Sequence, residues 1–225
     1  MAKKAKPSLP FAKRLVLNRY ILSLFGVENF EALSIYVNKM ENEGWTEDRI
    51  SKFHYAVVQA LPLEGAQLNK DTLLAYDQNI VSHTLAIQGK RPEPIRWKYF
   101  QYLALLFTEI YLDRFMNDRE GFLDALNAFC NQFNAPLAAG DRVELFSEDD
   151  LRKIAFWSAT GSGKTLIMHM NIKQYLHHLT KSGRSRELNR MLLVTPNEGL
   201  SKQHKEEFEL SIKRCCMEQS SPEAG

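Results

Sequence analysis

Apolar residues recur at helical spacing along more than half of the chain, from about residue 12 to residue 134. In residues 46–62, Thr46 stands where a helix N-cap would, acidic residues follow it, and Pro62 ends the pattern. Four apolar residues of that segment fall on one helical face: Ile50, Phe53, Val57 and Leu61. Since no strand-like alternation interrupts this region, we predict an all-helical N-terminal domain over residues 1–145.

The periodicity changes after residue 142. The run "KIAFW" (153–157) is typical of a short buried strand, and residues 165–179 carry an amphipathic helical pattern. The run "MLLVTP" (191–196) predicts a second buried strand, followed by another helix. Because alternating strands and helices are typical of a parallel sheet, we predict the fold class α + α/β. The parallel α/β lobe would begin at residue 146 and be incomplete at residue 225, because two strands rarely make a stable sheet.

Composition excludes several other classes of protein. The 225 residues are 44% hydrophobic and 25% charged, which is ordinary for a globular chain, and the net charge of +2 does not demand a nucleic-acid partner. No stretch reaches the roughly 18–20 apolar residues that a membrane span needs. The N-terminus lacks the apolar core and cleavage site of a secretory signal. We therefore interpret the protein as cytoplasmic, without a membrane partner.

The segment "SATGSGKT" (158–165) carries the candidate chemistry. Gly161 and Gly163 allow backbone N–H groups to approach phosphate oxygens closely, and a helix that follows adds its positive end. Lys164 would reach the β- and γ-phosphates, and the Thr165 hydroxyl would bind Mg²⁺. The strict phosphate-loop pattern has Gly where this chain has Ser158. The alternative is a chance Gly-Ser-Gly loop on a protein that binds no nucleotide.

These residue types predict ATP and Mg²⁺ as cofactors. Lys164 and Thr165 are the predicted catalytic residues, and Thr165 is the predicted Mg²⁺ ligand. The predicted cofactor contacts are Thr160, Gly161, Ser162, Gly163, Lys164 and Thr165.

Two segments together resemble a known family. "SATGSGKT" resembles motif I of the superfamily 2 DEAD/DEAH-box helicases, and "LLVTPNEGLSKQ" (192–203) resembles their motif Ia, with the same P-N-x-x-L-x-x-Q spacing. The resemblance implies that residues 146–225 begin a P-loop (RecA-like) ATP-binding lobe. It also implies a nucleic-acid partner, which we expect to be double-stranded DNA, bound through its backbone by Thr195, Pro196 and Asn197.

The helical region has a weaker resemblance. Residues 17–33 and 96–115 resemble the leader of large helicase proteins akin to the Res subunit of type III restriction enzymes and their defence-linked relatives. This resemblance implies a restriction or modification subunit as a partner. In such helicases a Gln before the first lobe often contacts adenine, and Gln101 is the candidate here. The alternative is a Gln at the solvated edge of a buried helix.

The acidic D-E-x-x box and the second-lobe arginines that such enzymes use for hydrolysis do not follow Thr165. We therefore expect an N-terminal fragment, with motifs I and Ia only, of an ATP-dependent helicase or DNA translocase linked to restriction or defence. Alone it would hydrolyse ATP negligibly. The alternative function is a non-catalytic DNA- or protein-binding module with a vestigial P-loop.

Overall fold

The computed structural model describes residues 9–61, 66–89, 91, 93–195, 197–202 and 204–206. The described residues form these α-helices: α1 (Val16–Leu24), α2 (Phe30–Val37), α3 (Lys52–Ala60), α4 (Lys70–Gln88), α5 (Tyr99–Asn117), α6 (Arg119–Asn134) and α7 (Lys164–Lys181). Residues 198–202 and 204–206 are helical as well. Short 3-10 helices lie at Phe11–Arg14, Met40–Asn42, Asp150–Arg152 and Ser185–Glu187.

Polar side chains define where several helices begin. Asn29 accepts a hydrogen bond from the Ala32 N–H at 2.9 Å, ahead of α2, and Asn69 accepts one from the Thr72 N–H at 2.7 Å, ahead of α4. Each bond satisfies an N–H group that has no partner within its own helix, which contributes about 1 kcal/mol to the helix. The prediction that the N-terminal region is helical is confirmed. Caps of this kind join residues only three apart in sequence, so the sequence itself contains their signal.

Helix α5 is the centre of the core. Its buried residues include Tyr102, Leu103, Leu106 and Ile110, and α4, α6 and α7 pack around it. A buried polar contact joins three helices: Asp77 of α4 accepts from the Tyr102 hydroxyl of α5 at 2.7 Å and from the Ser51 N–H ahead of α3 at 2.8 Å. The core therefore holds α5 in a fixed position next to α7.

The prediction of a parallel α/β lobe is wrong. Within the described residues there is no strand or sheet, and the one β-bridge found there joins Trp45 to Ser51. The runs 153–157 and 191–195, predicted as buried strands, carry exposed apolar side chains, with Trp157 86% and Val194 89% exposed. A buried strand needs a hydrogen-bonded neighbour and covered faces, and neither run has them within the part of the chain that the structure describes. The described part of the chain is all helical.

Helix α7 forms over the predicted residues, but the face that it buries includes the polar residues Gln174 and His178, and it finds different partners. Instead of covering a sheet, it packs along α4 and α5. The assignment of residues 1–145 and 146–225 to separate domains stays a prediction, while α7 itself lies against the helices of the first range. Among the described residues, no helix is both long enough and apolar enough to cross a membrane.

Candidate nucleotide-binding site

The predicted phosphate loop is a turn that leads directly into α7. Gly161 has φ +77° and Gly163 has φ +80°, a left-handed backbone that L-residues with side chains rarely adopt. At Gly161 an added Cβ would meet nothing within 4 Å, so the backbone conformation alone requires glycine there. At Gly163 the Cβ would also lie 2.5 Å from Nε2 of Gln101. Both glycines are therefore needed for the shape of this turn.

The N-terminal end of α7 faces this turn. Gly163 is the N-cap, and its carbonyl accepts the first intrahelical bond, from the Ile167 N–H at 3.0 Å. The N–H groups of Lys164, Thr165 and Leu166 precede that bond, so they have no acceptor within the helix. Together with the helix dipole they make the start of this 18-residue helix an anion-binding end.

Lys164 folds back across the loop. Its Nζ donates to the carbonyl oxygens of Ser158 at 3.0 Å and Ala159 at 3.1 Å. The ammonium group is thereby held over the turn, while the residue as a whole remains exposed. Phosphate oxygens are stronger acceptors than these carbonyls because they carry negative charge. The amine can exchange the carbonyls for phosphate without leaving the loop.

Two serine side chains of the loop, Ser158 and Ser162, offer hydroxyl donors to a phosphate group. Ser158 Oγ and Ser162 Oγ are both buried, and neither has a hydrogen-bond partner among the described residues. A buried hydroxyl without a partner costs about 1–3 kcal/mol, so native proteins seldom leave one unsatisfied. Phosphate oxygens would accept from both. Ser158, which departs from the strict pattern, thus adds a donor to the loop.

The threonines lie at either end of the same turn. Thr160 is exposed within the turn, and Thr165 is half-buried in the first turn of α7. Residues 160–165 therefore form one continuous stretch from the turn into α7. The backbone N–H groups, the serine hydroxyls and Lys164 are the donors that this turn offers to a triphosphate, and the Thr165 hydroxyl is the group that would hold Mg²⁺.

Gln101, at the start of α5, reaches this loop. Its Oε1 accepts from the Lys98 N–H at 2.8 Å, and its Nε2 donates to the Ser162 carbonyl at 2.8 Å. The structure thus places Gln101 against the phosphate loop, 61 residues away in sequence. A contact between Gln101 and adenine stays a prediction.

Sequence reasoning missed the buried polar cluster that anchors α7. Glu109 of α5 is fully buried, and its oxygens bond to Gln174 Nε2 at 2.8 Å, Asn79 Nδ2 at 3.1 Å and His178 Nε2 at 2.8 Å. Burial raises the pKa of a carboxyl, but His178, helped by Asn79 and Gln174, outweighs burial and holds the pKa of Glu109 below its ordinary value. The one available signal was Glu109 itself, an acid within the otherwise apolar run of residues 102–112.

Two of the three residues predicted to contact nucleic acid, Thr195 and Asn197, lie at the start of the helical segment 198–202. Asn197 Oδ1 accepts from the Leu200 N–H at 2.9 Å, so Asn197 caps residues 198–202. Thr195 Oγ1 donates to the Asn197 carbonyl at 3.2 Å and shares a hydrogen bond with the Ser201 hydroxyl. Pro196 lies outside the described residues. The contact of these three residues with nucleic acid stays a prediction.

Comparison with known proteins supports the two motifs. Residues 116–223 match the family model for the type III restriction enzyme, res subunit. That range contains α6, the phosphate loop, α7 and residues 192–203, whereas Gln101 precedes it. No curated protein and no solved structure matches the chain. Over residues 116–223 the chain is therefore similar to the type III restriction enzyme res subunit, which confirms the helicase-related resemblance carried by the two motifs.

Proposed function

We propose that residues 158–165 bind ATP with Mg²⁺, as the nucleotide-binding part of a restriction-related, helicase-like protein that acts on double-stranded DNA. The observation that carries this proposal is the turn itself. It combines two left-handed glycines, two buried hydroxyls that have no hydrogen-bond partner among the described residues, and a lysine amine, all at the start of a long helix. These groups are donors or cations, and a triphosphate offers acceptors and negative charge.

Each residue has a defined part in holding the nucleotide. Lys164 would exchange the Ser158 and Ala159 carbonyls for β- and γ-phosphate oxygens, and the Thr165 hydroxyl would ligate Mg²⁺. The backbone of residues 160–163 supplies N–H donors, and Gln101 joins the site through Ser162. The chemistry offered here is binding and orientation of the triphosphate. Hydrolysis would also need a carboxylate that orients water, and we assign that role to no described residue.

The experiment that tests this proposal is nucleotide titration by calorimetry, with wild type, Lys164→Ala and Lys181→Ala. Lys181 is the matched control, because it is an exposed lysine at the opposite end of the same helix. A charge-assisted contact contributes about 1.5–3 kcal/mol, so Lys164→Ala should weaken ATP·Mg²⁺ binding by roughly 10- to 100-fold. Lys181→Ala should leave the affinity unchanged.

Two results would contradict the proposal. Wild type that binds no ATP, or Lys164→Ala that binds as wild type does, would favour the alternative of a DNA- or protein-binding module with a vestigial loop.

The DNA part of the proposal rests on the family match over residues 116–223 and on the motif at residues 192–203. We propose that Thr195, Pro196 and Asn197 contact the DNA backbone, and that a restriction or modification subunit is a partner. Backbone binding should weaken steeply as salt is raised. Thr195→Val should reduce double-stranded DNA affinity at low salt, whereas Thr180→Val, on the last turn of α7, should not. Equal affinity of both variants would remove Thr195 from the DNA contact.

A further inference from the structure

The contact between Gln101 and the phosphate loop is part of a chain of polar contacts. Lys98 Nζ lies 2.8 Å from Glu43, the Lys98 N–H donates to Gln101 Oε1 at 2.8 Å, and Gln101 Nε2 donates to the Ser162 carbonyl at 2.8 Å. The two bonds of Gln101 fix both ends of its amide. The amide therefore holds the loop from a rigid position at the start of α5.

The bond to Ser162 determines the direction of the next N–H group. In a trans peptide the C=O and N–H point in opposite directions. Because the Ser162 carbonyl points at Gln101, the Gly163 N–H points away from Gln101. Gly163 is also the residue at which a side chain would collide with Gln101 Nε2. The close approach of Gln101 and the absence of a Cβ at residue 163 thus depend on each other.

We propose that Gln101 is a positioning residue for the phosphate loop, which aims the Gly163 N–H at the phosphates of any bound nucleoside triphosphate, whatever its base. This inference rests on the proposed function of residues 158–165. Each polar atom of the amide already makes one hydrogen bond to the protein, and that of Nε2 goes to the phosphate loop. On this proposal the effect of Gln101 reaches the phosphates through the loop.

The test compares three ligands that share a triphosphate and differ in their base. ATP, GTP and inorganic tripolyphosphate, each with Mg²⁺, are titrated into wild type, Gln101→Met and Gln132→Met. Methionine keeps the length of the side chain and its neutrality but removes both hydrogen bonds. Gln132 is the matched control, because it is an exposed glutamine on α6. Gln101→Met should lower the affinity for all three ligands by a similar factor, about 3- to 10-fold. Gln132→Met should leave all three affinities unchanged.

Two outcomes would overturn the inference. If Gln101→Met lowers the affinity for ATP but not for GTP or tripolyphosphate, Gln101 reads the base. If the variant lowers none of the three affinities, Gln101 does not position the loop. A role limited to stability would lower the unfolding midpoint without changing affinity measured well below that midpoint.

A second readout needs no ligand. In nucleotide-free protein, Gln101→Met should speed amide hydrogen exchange in peptides that cover residues 160–166 and leave α6 unchanged. Gln101→Asn, whose shorter amide cannot span the same distance to Ser162, should do the same and replaces Gln101→Met if that variant does not fold. If wild type binds none of the three ligands, the proposed function fails, while unchanged exchange in the loop would show separately that Gln101 does not hold it.

Discussion

Glu109 of α5 and His178 of α7 form a buried hydrogen bond, with 2.8 Å between Oε2 and Nε2. Gln174, one turn before His178, bonds to the other Glu109 oxygen and to the Leu105 carbonyl. These contacts fix the second half of α7 to α5. Because the phosphate loop is continuous with the start of α7, the loop is held both by Gln101 and by the helix that follows it.

Removing the Glu109 carboxylate should strongly destabilise the protein. Glu109→Ala removes the acceptor of the buried His178 Nε2 and of the Asn79 amide, and it leaves Gln174 Nε2 with the Leu105 carbonyl alone. Breaking a buried pair of this kind costs about 3–5 kcal/mol. Urea denaturation measures the change in the free energy of unfolding. Glu148→Ala removes an exposed acid and should change that free energy by less than about 0.5 kcal/mol. A similar small effect of Glu109→Ala would mean that the cluster does not support α7.

His83 should make the protein less stable in mild acid. Burial lowers the pKa of His83 to about 4, from an ordinary 6.5, while Glu109 opposes this shift and His177, Lys173 and His178 add to it. Between pH 6.5 and about 4, the unfolded chain binds a proton at His83 that the folded chain does not bind. The free energy of unfolding should therefore fall as the pH is lowered through this window, by up to about 3 kcal/mol.

The variant His83→Gln separates the pH effect of His83 from an opposing effect of Asp77. Burial raises the pKa of Asp77 to about 6, so Asp77 makes the folded state more stable as the pH falls from 6 towards 3.8. The quantity to measure is the difference in unfolding free energy between wild type and His83→Gln at several pH values. Wild type should lose stability relative to His83→Gln between pH 6.5 and 4. Parallel curves for the two proteins would show that His83 does not titrate on unfolding.

Gly163→Ala should weaken ATP binding more than its backbone strain alone explains. The change forces alanine into φ +80° and drives its Cβ against Gln101. Gly183→Ala is the matched control, since Gly183 has φ +71°, open space around the added Cβ and a position at the far end of α7. Both variants should lose about 1–2 kcal/mol of stability from the strained backbone, but Gly163→Ala alone should lose ATP affinity. Equal ATP affinities of Gly163→Ala and Gly183→Ala would argue against nucleotide binding at this turn.

Thr165 should determine how far Mg²⁺ strengthens ATP binding. Thr165→Val keeps the shape of the side chain and removes the hydroxyl that would ligate the ion. We expect its affinity for ATP in Mg²⁺ to fall roughly tenfold, towards the affinity measured with EDTA, which corresponds to about 1.4 kcal/mol. Thr165→Ser keeps the hydroxyl and should keep the Mg²⁺ dependence. If Thr165→Val responds to Mg²⁺ as wild type does, the ion is bound elsewhere.

Local patterns predicted the helices well and their partners poorly. The segment 46–62 does form a helix, but α3 begins at Lys52, after Ser51, rather than after Thr46. Arg49 has φ +58°, which a right-handed helix cannot contain, so no helix runs through it. Asp77 on α4 accepts a hydrogen bond from the Ser51 N–H just before α3. No local pattern reveals Asp77, because the contact joins residues 26 positions apart.

The same limit explains the error in the fold class. A run such as residues 191–194 is apolar enough for a buried strand, but strand formation depends on a neighbour that the run itself does not encode. The glycine turn before α7 could be predicted because its signal is contained in eight consecutive residues, whereas phosphate binding there stays a prediction. Gln101 was a candidate by resemblance, but its bond to Ser162 could not be predicted, and neither could the bond between Glu109 and Gln174, because these bonds join residues 61 and 65 positions apart.

The most direct test of the central claim is amide hydrogen exchange of the whole chain with and without saturating ATP·Mg²⁺. We expect slower exchange in peptides that cover residues 158–166 of wild type, and much less protection in Lys164→Ala at an ATP concentration that only just saturates wild type. Protection centred on another part of the chain, or protection of the loop that persists in Lys164→Ala, would contradict the assignment of this turn as the nucleotide-binding site.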